Sequence, residues 1–229
     1  MKAIFFDLDG TLLDHDYAQR VAALALLERY RGLLPYAEGD FVQFWYGLSE
    51  KYSTRQERGE ISRTEKRLMW MREVFRNETI PDEEAVRRFE MYVGDYENNC
   101  RLYQDAVPCL DVLRGIPLGI ITNGRPDMQR GKVEKTGIVD RFVPIVTSEE
   151  IGIAKPDVGI FQEACRRAGC EPVEAVYVGD SLEKDIVGSR NAGMVPVWLN
   201  RKSTDGYQGV KVIHTLAELP QILGGILAD

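Results

Sequence analysis

Ala3-Ile4-Phe5-Phe6-Asp7-Leu8-Asp9-Gly10-Thr11, residues 3–11, decides the fold. Four apolar residues run unbroken and stop at an acid. A strand with one face in water would alternate, so such a run belongs to a strand buried on both faces, as in a parallel sheet. Asp7 and Asp9 stand at i and i+2, and on an extended chain end such residues point the same way. Both can therefore address one site. Gly10 allows a sharp turn behind them. Ligands of open α/β sheets bind at the carboxyl ends of the strands. Taken alone, the pair also fits a surface loop with two solvated acids.

The rest of the chain repeats the pattern. Further apolar runs lie at residues 118–121, 142–146, 175–178, 195–199 and 210–213, separated by amphipathic stretches such as 156–168. That stretch predicts a helix with Pro156 in its first turn and its end before Gly169. The alternation predicts an α/β fold, a doubly wound parallel sheet of Rossmann-like form. No strand pattern appears between residues 16 and 99. Helices are expected there over 17–30, 39–55, 64–75 and 83–98, with breaks at Gly32-Leu33-Leu34-Pro35, Gly59-Glu60 and Ile80-Pro81. The expected organisation is a core of residues 1–15 and 100–229 with a helical bundle of residues 16–99 inserted after the first strand.

Composition narrows the class of function. The chain has 229 residues, enough to bury a core without disulfide staples. With 29 basic and 36 acidic side chains its formal charge is −7, which repels nucleic-acid backbones and anionic membranes. The basic residues Arg63, Lys66, Arg67 and Arg72 are interleaved with acids and read as a solvated helix face. Nucleic acid and membrane partners are therefore not expected. Cys100, Cys109, Cys165 and Cys170 form no CxxC pair, and His15 and His214 are the only histidines, so a zinc cluster is not expected either. The N-terminal apolar run is too short for a signal peptide, and no window approaches a membrane span. A cytoplasmic enzyme with free thiols, monomeric or homodimeric, is the expectation.

Three more strand ends carry chemistry. The second strand leaves into Thr122-Asn123-Gly124, whose hydroxyl and loop amides suit a phosphate oxygen, although a lone threonine there more often serves a turn. Lys155, in Ala154-Lys155-Pro156, stands where a helix dipole favours anions. It makes sense there if it meets a phosphate or a carboxylate; a solvated lysine is the bland alternative. A later strand ends in Gly179-Asp180-Ser181-Leu182-Glu183-Lys184-Asp185. Asp180 could be only a helix N-cap. In this order, all at strand ends, the four signals reinforce one another.

Together, Asp7–Thr11, Ile121-Thr122-Asn123-Gly124, Ala154-Lys155-Pro156 and Val178-Gly179-Asp180-Ser181-Leu182-Glu183-Lys184-Asp185 resemble the four motifs of the haloacid dehalogenase-like superfamily. The resemblance covers nearly the whole chain, and the helical insert resembles that family's C1 cap. Residues 148–161 are similar to the subgroup with pyrimidine nucleotidases and acylneuraminate-9-phosphatases. It implies a Mg²⁺-dependent phosphatase acting on a small phosphorylated metabolite, with nucleoside monophosphates and sugar phosphates the leading candidates. Asp7 would attack phosphorus and form an aspartyl-phosphate. Asp9 would protonate the leaving oxygen and then deprotonate water, its pKa raised by nearby carboxylates. Thr122, the Asn123 amide and Lys155 would hold the transferring oxygens. Mg²⁺ would be bound by the Asp7 carboxylate, the Asp9 backbone carbonyl and Asp180, while Asp185 holds water or Lys155 in place.

Asp9 argues against a dehalogenase, which needs no acid for its leaving group. A phosphomutase would keep both acids, although mutases with this cap typically show Val where Thr11 stands. A non-catalytic binding or regulatory module is disfavoured because every reactive position is filled. Cap residues are expected to choose the substrate. Residues 41–46 include Phe41, Phe44, Trp45 and Tyr46; neighbours on a helix diverge by about 100°, so Trp45 or Tyr46 is expected to face the cleft. The cap is expected to close over substrate about hinges at residues 13–16 and 99–103.

Overall fold

The computed structural model describes residues 1–203 and 206–226. The chain forms two compact units, Met1–His15 with Arg101–Asp229, and Asp16–Cys100.

The first unit is built on six parallel strands: β1 (Ala3–Phe6), β2 (Leu118–Thr122), β3 (Ile145–Thr147), β4 (Ala175–Gly179), β5 (Val195–Leu199) and β6 (Lys211–Ile213), in the order β3-β2-β1-β4-β5-β6. β1, β2 and β4 are buried at every position, which is why their sequences are apolar without alternation. Successive side chains still part to opposite faces. Ile4, Phe6, Ile120, Val176 and Val178 enter one core, while Phe5, Ile121, Ala175 and Tyr177 enter the other. Helices at Ala106–Val112, Pro126–Lys135 and Leu219–Ile226 contribute to the first core, and one at Val158–Ala168 to the second. This is the doubly wound, Rossmann-like α/β architecture expected. With β1 and β4 adjacent at the centre, the tips carrying Asp7 and Asp180 are neighbours.

Three predicted elements of the first unit start later than expected. The strand expected over residues 142–146 is Ile145–Thr147: Pro144 has no N–H to give a ladder, and Val143 is largely exposed. The strand expected from residue 210 begins at Lys211. The helix expected from Pro156 begins at Val158, because Asp157 is its N-cap and accepts from the Gly159 amide at 2.8 Å.

The second unit is helical, with long helices over His15–Arg29 (whose first residue belongs to the first unit), Glu38–Glu57, Arg63–Val74 and Asp82–Asn98. Ser62 and Glu65 form a reciprocal capping box that fixes the start of the third helix. Its core is aromatic: Phe41, Trp45, Tyr52, Trp70, Phe89 and Tyr92 all belong to it. Trp45 is fully buried, with ring centroids 4.4 Å from Tyr92 and 5.0 Å from Trp70. The expectation of Trp45 as a substrate contact is therefore corrected: such a ring gains most by burial, and its own unit encloses it. Tyr46, the next residue, is half-buried, and its hydroxyl donates to the Asp16 carbonyl at 3.2 Å. Among the described residues no helix is long and apolar enough to cross a membrane. All four cysteines are free thiols.

Candidate active site

Asp7 leaves the tip of β1, and its backbone amide still donates to the Val178 carbonyl of β4 at 2.9 Å. The next turn brings the chain back against the tip of β4. Gly10 makes that possible, with φ +90°, and a Cβ there would lie 2.5 Å from an Asp180 carboxylate oxygen. Asp180 itself is no helix cap. The cap of the π-helical turn Leu182–Val187 is Ser181, which accepts from the Lys184 amide. The Asp180 backbone is held by Trp198 of β5, whose indole N–H donates to its carbonyl at 2.9 Å.

Lys155 arrives from the loop before the Val158–Ala168 helix. Asn123 clamps it at the backbone from both sides, accepting from the Lys155 amide at 2.8 Å and donating to its carbonyl at 3.0 Å. The side chain is buried, and its ammonium donates to Asp7 Oδ1 at 2.5 Å, Asp185 Oδ1 at 2.6 Å and the Tyr177 hydroxyl at 2.9 Å. Burial opposes its charge, but the Asp185 and Asp7 carboxylates outweigh that and hold its pKa above the ordinary value. Asp185 is fully engaged, taking Lys155 and Tyr177 on one oxygen and the Ser181 amide on the other. Its Oδ1 holds the Lys155 ammonium at 2.6 Å.

Asp7, Asp180 and Asp185 each offer a carboxylate oxygen within 4.8 Å of the others. Burial, opposed by Lys155 and reinforced by Asp185 and Asp180, pushes Asp7 well above the usual carboxylate range. Burial and the Asp185 charge push Asp180 up to about 6. Fully ionised, the three acids facing one ammonium would leave an excess of two negative charges, a repulsion that adds to burial in pushing Asp7 and Asp180 up. An all-oxygen donor set with that excess fits a hard divalent cation.

Asp9 departs from expectation. Its carboxylate faces Lys132, not other acids, with the ammonium 2.6 and 2.8 Å from its two oxygens. Burial would raise its pKa, but Lys132, His15 and Gln129 hold it well below the usual range. The expected upward shift is thus corrected: in this arrangement Asp9 is ionised. Thr122 is buried at the end of β2, beside Gln129.

Sequence reasoning missed Gln129, Lys132, Tyr177 and Trp198. Tyr177 and Trp198 lie inside apolar strands and read there as core. Gln129 and Lys132 share a helical face with buried Val133 at i, i+3 and i+4. Two long polar side chains on a core-facing stripe were the available signal.

A model of the haloacid dehalogenase-like hydrolases matches residues 1–193. The chain belongs to that family. Pyrimidine 5'-nucleotidase YjjG of Escherichia coli (strain K12) is 37% identical over 139 residues, 58% of this chain and 62% of its own length. This chain thus spans less than two thirds of that relative. Glyceraldehyde 3-phosphate phosphatase of Methanothermobacter thermautotrophicus is 30% identical over 97% of this chain and 100% of its own. Among solved structures, the HAD-hydrolase YfnB of Bacillus subtilis, bound to magnesium, superposes with a TM-score of 0.82 over 97% of this chain and 98% of that one. At 24% identity it establishes the fold alone.

Proposed function

We propose that this protein is a phosphatase that hydrolyses a small phosphomonoester with Asp7 as nucleophile and Mg²⁺ as its cation. The observation that carries this reading is the Lys155 ammonium placed between Asp7 and Asp185, beside Asp180. That cluster is short of positive charge and sits at the tips of β1 and β4. A cation held by the Asp7 and Asp180 carboxylates and the Asp9 carbonyl would screen the repulsion between Asp7 and a dianionic ester, about 4 kcal/mol for unit charges 4 Å apart at an effective dielectric of 20.

Asp9, ionised in the free site, takes up a proton from solvent as the ester binds; Asp7 then attacks phosphorus, the bond to the ester oxygen breaks, and Asp9 gives that oxygen the proton. Asp9 then takes a proton from water as the water displaces phosphate from Asp7, so the proton count closes over the cycle. An incoming dianion beside Asp9 raises its proton affinity, the direction an acid needs. Thr122, the Asn123 amide and Lys155 hold the transferring oxygens.

The relatives' activities, on pyrimidine nucleotides and on glyceraldehyde 3-phosphate, favour a nucleoside monophosphate or a sugar phosphate. The helical unit, with Tyr46 its candidate contact, supplies the discrimination. The test is Mg²⁺-dependent release of phosphate from p-nitrophenyl phosphate, followed by a screen of phosphorylated metabolites on the purified chain. Turnover of 2-chloropropionate in place of any phosphate ester would overturn the reading.

A further inference from the structure

Gln129 and Lys132 stand one turn apart on the helix Pro126–Lys135, 3% and 6% exposed. The Gln129 Nε2 group points its two hydrogens at three acceptors, sharing them among Thr122 Oγ1 at 2.6 Å, the Asn123 carbonyl at 3.0 Å and Asp9 Oδ2 at 3.1 Å. A carbonyl can only accept, so the contact with Asn123 fixes the amide with its NH₂ group towards the site. The consequence falls on Thr122. A hydroxyl has one hydrogen to give. With Gln129 donating into its oxygen, that hydrogen must point elsewhere, and its acceptor within the protein is the Asn123 carbonyl at a long 3.5 Å. The hydroxyl is thereby set as a donor that a phosphoryl oxygen can claim.

Lys132 makes the matching arrangement for Asp9, grasping both carboxylate oxygens at 2.6 and 2.8 Å. Apolar residues of the same volume commonly replace a buried ion pair without loss of stability, so the fold alone does not account for this one.

We infer that Gln129 and Lys132 are positioning residues for the reaction: Gln129 makes the Thr122 hydroxyl a donor to the phosphoryl group, and Lys132 fixes the Asp9 carboxylate next to it. This rests on the roles of Asp7, Asp9 and Thr122 proposed above.

The test is steady-state kinetics of the full chain with Mg²⁺ on p-nitrophenyl phosphate and on an alkyl phosphate. Gln129→Leu should lower kcat on both esters by about tenfold to a hundredfold, short of the full loss of an oxyanion donor, with KM moved by less than about threefold. Gln129→Glu has the same shape but accepts where the amide donated, and should do no better. Lys132→Met should lower kcat more on the alkyl ester, whose leaving group needs its proton, than on the aryl ester. Lys132→Met also leaves Asp9 without its partner and should lower the thermal midpoint, so its rate is read well below that midpoint, per folded protein, and Lys132→Arg should recover much of it. If Gln129→Leu does not fold, Gln129→Glu carries the test alone. Rates within about twofold of wild type for Gln129→Glu and Lys132→Met overturn the inference. Asp7→Asn, run alongside, separates the two failures. If it is inactive while the positioning variants are normal, only this inference falls. If it is active, or if wild type turns over neither ester, the phosphatase reading falls and this inference with it.

Discussion

Lys155 and Asp7, 148 residues apart in sequence, meet at 2.5 Å in the interior, and the same ammonium lies 2.6 Å from Asp185. Removing one partner of a buried ion pair while leaving the other typically costs about 3–5 kcal/mol. Lys155→Met leaves two acids behind, and its stability should fall by that order, with turnover lost as well. Mg²⁺ should restore more stability to this variant than to wild type, since the cation then balances three carboxylates alone. Thermal unfolding with and without Mg²⁺ measures both effects. A midpoint unchanged by Lys155→Met would mean that the buried triad is not charged as described.

The Asp7, Asp180 and Asp185 group predicts a metal-linked stability. A ligand at a hundred times its Kd stabilises the folded state by about 2.7 kcal/mol. Saturating Mg²⁺ should therefore raise the midpoint of wild type and barely move that of Asp180→Asn. Chelator should abolish turnover and Mg²⁺ restore it, while Ca²⁺, with its larger and looser shell, should substitute poorly. Full activity in excess chelator would remove the cation from the mechanism.

Trp45 and Tyr46 should separate cleanly. Trp45→Ala empties the centre of an aromatic core and should cost about 3–5 kcal/mol, lowering activity on every ester in proportion to the folded protein left. Tyr46→Ala should leave p-nitrophenyl phosphate turnover near wild type and lose rate on the best metabolite of the screen. Equal loss on both esters would make Tyr46 a packing residue.

Asp105 supplies a pH test outside the site. Its carboxylate accepts from Arg201, the Thr215 hydroxyl and the Leu216 amide. Burial raises its pKa, but these bonds outweigh it and hold the group below its ordinary 3.8. A carboxyl depressed on folding contributes stability above its unfolded pKa and loses it as pH falls through the folded one. The gap in urea midpoint between wild type and Asp105→Asn should be constant above about pH 5 and narrow progressively below 3.8. A gap that persists unchanged to the acid limit would show that these bonds do not favour the ionised form.

The strand tips were legible because they depend on local pattern. β1, β2 and β4 are apolar on both faces, and the residues that follow each run name the site: Asp7, Thr122, Asp180. Asp185 was legible for a similar reason, one helical turn beyond a strand end. The partners of Asp9 were not. Gln129 and Lys132 lie 120 and 123 residues away, and no local period links the acid after β1 to the helix after β2. That pairing is what reverses the direction expected for the Asp9 pKa. The helix start at Val158 was misplaced because Pro156 and Asp157 both suit a helix entry, and only the Asp157–Gly159 bond decides between them. Adjacent aromatics do diverge around a helix, as argued for Trp45 and Tyr46, but periodicity cannot say which one the core takes.

The central claim is that Asp7 carries the phosphoryl group, and the rate of Asp7→Asn tests it most directly. Asparagine keeps the shape and removes the nucleophile, so the variant should fold, bind ester and lose kcat by several orders of magnitude, leaving only what binding and positioning provide. If purified Asp7→Asn, with Mg²⁺ present, retains a tenth of the wild-type kcat on p-nitrophenyl phosphate, Asp7 is not the nucleophile and the account is wrong.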